Sequence, residues 1–327
     1  MASYVLRRLL GMIPTLFIIS VISFILIQLP PGDFLTSQLE QLRQQGQQVT
    51  DERIAAMRAQ YGLDQPVSVQ YFKWITNFVR GDMGYSFEWD RPVGELVWGR
   101  LGYTVVITFA AMIFTWLMAF PIGIYSALRQ YSVSDYAFTI LGFLGLSTPG
   151  FVLALLMMYL GYQYFGISVG GLFSPEYVAE PWSWGKFVDM LQHIWIPMVV
   201  VGMAGTAGLI RILRANLLDE LQKPYVTTAR AKGVGPIRLI LKYPLRIALN
   251  PFVSTVGWML PALFSGATIV AVVLSLPTTG PLLLQALKSQ DMYLAGSIIM
   301  LLSVLTVVGT LISDILLALL DPRIRYE

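Results

Sequence analysis

The stretch Gln222–Pro251, QKPYVTTARAKGVGPIRLILKYPLRIALNP, decides how the chain is read, because it is basic and mostly polar yet lies between long apolar runs. Pro224 suits the first turn of a helix, where a missing N–H costs nothing, and Gly233 suits the left-handed position just past a helix end. The residues between them make a helix of about two to three turns. Thr227, Thr228, Ala229 and Ala231 are small, so another protein surface can approach the backbone, and Arg230 and Lys232 complement the C-terminal dipole. So short a helix is marginal in isolation and must dock against something. The plainer alternative is a juxtamembrane loop that merely carries the positive charge of the inner face. That alternative accounts for the charge but not for the small-residue run closed by Gly233.

The flanking sequence supports a membrane setting. Of 327 residues, 56% are hydrophobic and only 13% charged, against about 25% charged in a soluble domain. The chain has no cysteine, which excludes disulfides, thiolate metal sites and cysteine nucleophiles. Its one histidine, His193, leaves little room for an imidazole metal site or a triad. A net charge of +3 is too small to argue for nucleic acid.

Six apolar runs are long enough to span a bilayer, which takes about 17–25 helical residues. They are Leu9–Leu29, Tyr103–Leu128, Tyr136–Phe165, Ile194–Ile210, Phe252–Leu276 and Leu294–Leu320. The first is longer than the apolar part of a signal peptide and runs into Pro30-Pro31-Gly32-Asp33 with no small-residue cleavage site, so it reads as an uncleaved span. With the N-terminus inside, Arg7, Arg8, Arg129, the basic residues of 211–246, Arg323 and Arg325 all fall on the inner face. The short outer loops carry Lys186 and Lys288, and the orientation follows the positive-inside bias. Residues 34–102 contain nothing long enough to span, although Thr50–Tyr61 reads as a helix with a Thr50 or Asp51 cap.

The third span is over-long and contains Ser147-Thr148-Pro149-Gly150, which predicts a kink or tilt and a freed carbonyl that neighbouring hydroxyls or water must satisfy. That kink either faces a transport pathway, with Pro149 and Gly150 as gating residues, or is a packing feature. Gly202, Gly205 and Gly208, interleaved with Ala204 and Ala207, predict close helix packing in the fourth span. Asp314 is an intramembrane acid near the inner end of the last span; pairing with Arg323 or Arg325 at the interface competes with a role in coupling. His193, beside Trp195 and near Trp182 and Trp184, reads as part of an interfacial aromatic belt. No phosphate-binding Gly-x-x-x-x-Gly-Lys-Ser/Thr, His-Glu-x-x-His or Gly-x-Ser-x-Gly is present, so neither a nucleotide site nor a hydrolase is written into the chain.

Tyr225-Val-Thr-Thr-Ala-Arg-Ala-Lys-Gly233, with Asn250-Pro251 downstream, resembles the cytoplasmic coupling loop of binding-protein-dependent ABC importer permeases. The family pattern is Glu-Ala-Ala, three residues, then Gly. Ala229 and Gly233 match it, Thr227 and Thr228 depart from it, and Tyr243-Pro244-Leu245-Arg246 stands where Ile-x-Leu-Pro is usual. TARAKG followed by Asn-Pro is similar to the dipeptide/oligopeptide (peptide/nickel) branch. So is the ordered series Tyr61-Gly-Leu-Asp-Gln-Pro66, Gln70-Tyr71, Trp74, Gly81-Asp-Met-Gly-Tyr-Ser86, Arg91-Pro92-Val93, Arg100-Leu101 and Thr104. The resemblance covers nearly the whole chain.

It implies an all-α polytopic membrane protein with the six transmembrane helices of the type I ABC importer permease fold. Residues 1–29 form the N-terminus and first helix, 30–102 an extracytoplasmic domain, and 103–327 a five-helix core with a coupling loop at 211–250. It implies a second permease subunit, usually non-identical, two ATPase subunits or domains that bind ATP and Mg, and an extracytoplasmic solute-binding protein. The expected setting is a bacterial or archaeal inner membrane with both termini cytoplasmic. The expected solute is a peptide, with oligosaccharides and metal complexes as alternatives. Tyr225, Thr227, Thr228, Ala229, Arg230, Ala231, Lys232 and Gly233 are the expected contacts to the ATPase. The competing class is an ion-coupled secondary transporter or channel. It would be favoured by an inverted repeat and paired intramembrane charges, neither of which is evident.

Overall fold

Apolar length and proline placement set the elements. The computed structural model describes residues 2–28, 65–86, 88–166, 170–250 and 268–320. Helix α1 covers Ala2–Gln28 and α2 Val67–Val79; a two-stranded hairpin, β1 Tyr85–Ser86 and β2 Arg91–Pro92, leads into α3, Val93–Leu128. Next come α4 Val133–Ser147, α5 Gly150–Phe165, α6 Pro175–Val178 and α7 Trp184–Leu221. Three short helices follow, α8 Pro224–Ala231, α9 Pro236–Lys242 and α10 Pro244–Ala248, and the chain closes with α11 Thr279–Lys288 and α12 Met292–Leu320.

Among the described residues, four helices are long and apolar enough to cross a membrane, or five if α4 and α5 count as one broken span. The sixth expected span, Phe252–Leu276, lies mostly outside the described residues. Its visible end corrects the boundary, because residues 268–273 are helical and the helix stops before Leu276. Ser275 takes a left-handed conformation (φ 53°) and Leu276 N–H reaches back to the Ala271 carbonyl at 2.8 Å. This is a Schellman-type closure with serine in the usual glycine position. The expected helix at Thr50–Tyr61 and the residues Arg323 and Arg325 also fall outside the described residues.

The chain divides into two units. One comprises residues 7–103 and 278–307. Its α2 is amphipathic and buries Tyr71 and Trp74 with Phe24 of α1 and Met300 of α12. Tyr71 meets Phe24 edge-on at 5.5 Å, and its hydroxyl shares a 2.7 Å hydrogen bond with Ser20. A second cluster gathers Met83, Val93, Val97, Leu282, Leu294 and Ile298. Gly81 and Asp82 form a turn: Gly81 has φ 89°, and Asp82 Oδ1 accepts from Gly84 N–H at 2.9 Å. The hairpin is a small exception to the all-α expectation, with Tyr85 opposite Pro92 and Ser86 opposite Arg91.

That hairpin is tied down by a carboxylate the sequence did not single out. Asp291 is fully buried and accepts from Ser86 Oγ at 2.5 Å, from Glu88 N–H at 3.3 Å and from Leu294 N–H at 3.1 Å. It therefore caps the start of α12 and anchors the hairpin together, and these bonds offset the cost of burying the charge.

The other unit comprises residues 1–6, 104–277 and 308–327. Its axis is α7, about 57 Å long at 1.5 Å per residue, which exceeds the roughly 30 Å hydrocarbon core and so carries one end beyond it. Leu209, Leu213 and Leu217 form a fully buried ridge on α7, which packs against α4, α5 and α10. The glycine pattern of α7 divides in two. A Cβ at Gly202 would meet Phe114 Cδ1 at 2.7 Å and the Ala111 carbonyl at 2.9 Å, and one at Gly205 would meet Thr115 Cγ2 at 3.5 Å. At Gly208 a Cβ would meet nothing within 4 Å. Thr115 Oγ1 donates to the Gly202 carbonyl at 2.9 Å across the same α3–α7 contact.

The first turn of α7 is held by a folded loop. Ser183 caps it by accepting from Lys186 N–H at 3.2 Å. Lys186, expected in an outer loop, instead lies in the helix and is buried, its Nζ bonded to the Glu180 carbonyl and set over Phe173 (4.9 Å) and Trp182 (5.9 Å). Asp189 receives Ser174 N–H at 2.8 Å and Ser174 Oγ at 2.6 Å. His193 Nδ1 lies 2.7 Å from the Asp189 carbonyl, one turn along the same helix.

Candidate coupling loop and span break

Lys223 leaves α7 in an extended conformation and caps α8, with Pro224 at the first helical position. Helix α8 ends at Ala231, with Lys232 at the C-cap and Gly233 in the left-handed position that the sequence predicts. Gly233 has φ 76°, its N–H reaches the Arg230 carbonyl at 3.0 Å, and Val234 N–H reaches the Ala229 carbonyl at 3.3 Å. These bonds satisfy terminal carbonyls that a continuing chain would leave open. Gly235 and Pro236 then start α9 at once.

The helix does dock, first of all onto its own chain. Val226 and Ala229 lie three residues apart and so share a face, which closes on Leu239 of α9 with Tyr225, Val234, Ile240 and Tyr243 around it. Tyr225 also donates its hydroxyl to the Glu220 carboxylate at the end of α7. Burial, followed by that neighbouring carboxylate, pushes the Tyr225 phenol above the ordinary tyrosine range, so it remains the donor at neutral pH.

The eight expected contact residues therefore separate. Thr227, Thr228, Arg230, Ala231, Lys232 and Gly233 are exposed. Ala229 is only 8% exposed and Tyr225 is half-buried. The expectation that Ala229 offers a small side chain to an incoming surface is corrected: its methyl is turned inward, because the helical period places it above Leu239.

At the other candidate, the chain breaks more sharply than a kinked or tilted span. Helices α4 and α5 meet at 105° across Thr148 and Pro149. Thr148 is extended (φ −89°, ψ 119°), as a residue before proline prefers. The hydroxyls of Thr148 and Ser147 donate to the Leu144 carbonyl at 2.8 and 3.2 Å, which also accepts Thr148 N–H at 3.1 Å. The carbonyl that Pro149 deprives of its helical donor is that of Gly145, one residue further on, so these bonds cap the end of α4 and do not serve the freed carbonyl. Gly150 opens α5 where a Cβ would stand 3.2 Å from Val270 Cγ2.

Asp314 lies half-buried in α12. Elsewhere the structure supplies a buried ion pair that sequence reading missed. Asp135, in the first turn of α4, receives Arg214 of α7 at 3.0 Å and Tyr131 N–H at 3.0 Å.

Comparison with known proteins bears on this arrangement directly. Residues 119–326 match the family model "Binding-protein-dependent transport system inner membrane component", and residues 1–108 match its companion, "Binding-prot-dependent transport system membrane comp, N-term". The chain belongs to this family. It is an ABC importer permease, and it covers its relatives from end to end. The oligopeptide transport system permease protein AppB of Bacillus subtilis is 35% identical over 331 residues, with 100% of both chains aligned. The glutathione transport system permease protein GsiC of Salmonella typhimurium is 34% identical over 327 residues, again across 100% of each. Among solved structures, the inward-facing MetNI methionine ABC transporter matches with a TM-score of 0.54 at 17% identity, covering 69% of this chain and 96% of that one. That likeness shows the fold, an all-α polytopic permease.

Proposed function

We propose that this permease is one of two membrane-spanning subunits of an ATP-driven importer for peptide-like solutes. Its partner is a second, non-identical permease; two ATPase subunits bind ATP and Mg, and an extracytoplasmic binding protein delivers the solute. The peptide class is supported by the full-length similarity to oligopeptide and glutathione permeases. In this reading the chain has six spans, residues 30–102 face the exterior, both termini lie in the cytoplasm of a bacterial or archaeal cell, and the core at 103–327 carries the coupling loop at 211–250.

The observation that carries the coupling assignment is α8: a short helix opened by Pro224, closed by Gly233 and braced from behind, with Thr227, Thr228 and Ala231 leaving the backbone of its outer face accessible between basic side chains. Thr227, Thr228, Arg230, Ala231, Lys232 and Gly233 form the surface that meets the ATPase. Tyr225 and Ala229 hold that surface against α9 and α7. A rigid seat is what transmission requires, because a frayed helix would absorb ATPase movement instead of passing it to α7. Pro149 and Gly150, at the break between α4 and α5, serve as the flexing point of the pathway wall.

The test is Thr228→Trp and Ala231→Trp in the intact assembly, read by recovery of ATPase chains, ATP hydrolysis and uptake. The expected result is a chain that inserts normally but loses ATPase assembly or uptake. Normal assembly with normal uptake would remove α8 from the coupling path. Screening the associated binding protein against peptides, oligosaccharides and nickel complexes settles the solute, and preference for either of the last two would overturn the peptide assignment.

A further inference from the structure

Where α4 packs on α7, Gly142 faces Ala207, and a Cβ on that glycine would stand 3.2 Å from the alanine methyl. At this contact the same two helices border a half-open cavity of about 250 Å³, lined by Phe138, Thr139 and Phe143 on one side and by Ile210, Arg211 and Arg214 on the other. At about 30 Å³ per water, this is room for a polar headgroup and not merely a single ion.

Two guanidinium groups border a cavity whose remaining walls are largely apolar and aromatic. Arg214 spends one face on Asp135, and its Nε is buried with no hydrogen-bond partner among the described residues. Arg211 makes no ion pair among the described residues and lies over the Phe143 ring at 5.2 Å. Among the described residues, Asp135 thus balances one of the two cations and no carboxylate pairs with the other. Beside the cavity, Ile140, Phe143 and Leu144 of α4 are all more than half exposed. A cationic recess bordered by an exposed apolar helix face matches an amphiphile with an anionic head.

We propose that this cavity holds the headgroup of an acidic phospholipid, with the phosphate at Arg211 and Arg214 and the acyl chains along the exposed face of α4. Arg214 lies ten residues before Pro224, so the site belongs to the inner leaflet on the reading that α8 is cytoplasmic. Basic pockets between transmembrane helices on that side are suited to acidic headgroups. A free inorganic anion would gain nothing from the apolar face, and a zwitterionic lipid would leave the surplus cation unmatched.

The test uses the intact assembly purified in detergent, with phosphatidylglycerol or phosphatidylcholine added and bound lipid counted by native mass spectrometry. The wild type is expected to retain phosphatidylglycerol preferentially. Arg211→Gln should lower that occupancy about fivefold, the contribution of one basic residue near an anionic surface, while Arg211→Lys keeps most of it. Equal retention of the two lipids, or unchanged occupancy in Arg211→Gln, would overturn the proposal. So would displacement of phosphatidylglycerol by millimolar inorganic phosphate, which would make this a free-anion site. Because the chain has no native cysteine, Phe143→Cys is a clean cross-linking probe. Its capture of the second permease in place of a maleimide-bearing phosphatidylethanolamine would make this face a subunit interface and likewise refute lipid binding. Recovery of ATPase chains from the same preparations reports separately on the importer reading.

Discussion

Gly202→Ala tests the packing of α7 against α3 at the level of single atoms. The added methyl would sit 2.7 Å from Phe114 Cδ1, 2.9 Å from the Ala111 carbonyl oxygen and 3.1 Å from Thr115 Oγ1. The phenyl ring can swing aside, but the carbonyl belongs to a helix backbone and cannot. Overpacking of this kind costs about 1–3 kcal/mol. The substitution also stiffens the helix, and Ala exceeds Gly by about 0.8–1.0 kcal/mol in propensity. Any shift that relieves the clash stretches the 2.9 Å bond from Thr115 to the Gly202 carbonyl, adding a loss of about 0.5–1.5 kcal/mol. The balance is a destabilisation of about 0.5–3.5 kcal/mol, centred near about 2. At about 2–4 °C per kcal/mol for a unit of this size, the central value lowers the melting midpoint of the detergent-solubilised protein by roughly 4–8 °C. Gly208→Ala is the internal control. It lies two turns along the same helix, its methyl would meet nothing within 4 Å, and only the propensity gain remains. Its midpoint should stay level or rise by up to about 4 °C. The measurement is a pair of thermal unfolding curves followed by loss of monodispersity on size exclusion. If the two variants melt together, the close α3–α7 approach is wrong and the argument fails.

Two further outcomes follow from the same geometry. Ser86→Ala removes the shortest donor to a fully buried carboxylate, so it should cost about 1–3 kcal/mol and expose the hairpin to proteolysis between β1 and β2; a protease profile identical to the wild type would count against Asp291 as the anchor. Gly233→Ala forces a Cβ into a left-handed conformation at about 1–2 kcal/mol, which should fray the end of α8 and lower uptake more than it lowers the melting midpoint. Equal uptake at equal protein level would show that the cap does not matter to coupling.

Much of this permease is written locally. Pro224 and Gly233 mark the ends of α8 because each acts through its own backbone: one lacks an N–H and the other tolerates positive φ. Ser147-Thr148-Pro149-Gly150 announces a break for the same reason, since Pro149 brings no N–H and biases Thr148 out of the helical region. The apolar runs are legible because a bilayer demands long uninterrupted stretches and cannot satisfy an unpaired backbone group.

What stayed hidden depends on residues far apart in the chain. Ala229 reads as a small outward residue until α9 supplies Leu239 beneath it. Lys186 reads as an outer-loop cation until Phe173 and Trp182 close around its ammonium. Ser86 and Asp291 are separated by 205 positions, and nothing near either residue announces the bond. The partition of Gly202 from Gly208 is of the same kind, since identical residues on one helix differ only in what stands opposite.

The sequence by itself therefore determined the membrane class, the helix boundaries near proline and glycine, and the family, because these rest on hydropathy, backbone chemistry and short motifs. Only the tertiary structure decided which face of α8 is free, how sharply the third span breaks, and that Arg214 pairs with Asp135 beside an Arg211 that has no ion-pair partner among the described residues. Those properties depend on which groups meet across helices, and burial, charge pairing and steric contact do not exist until the helices have packed.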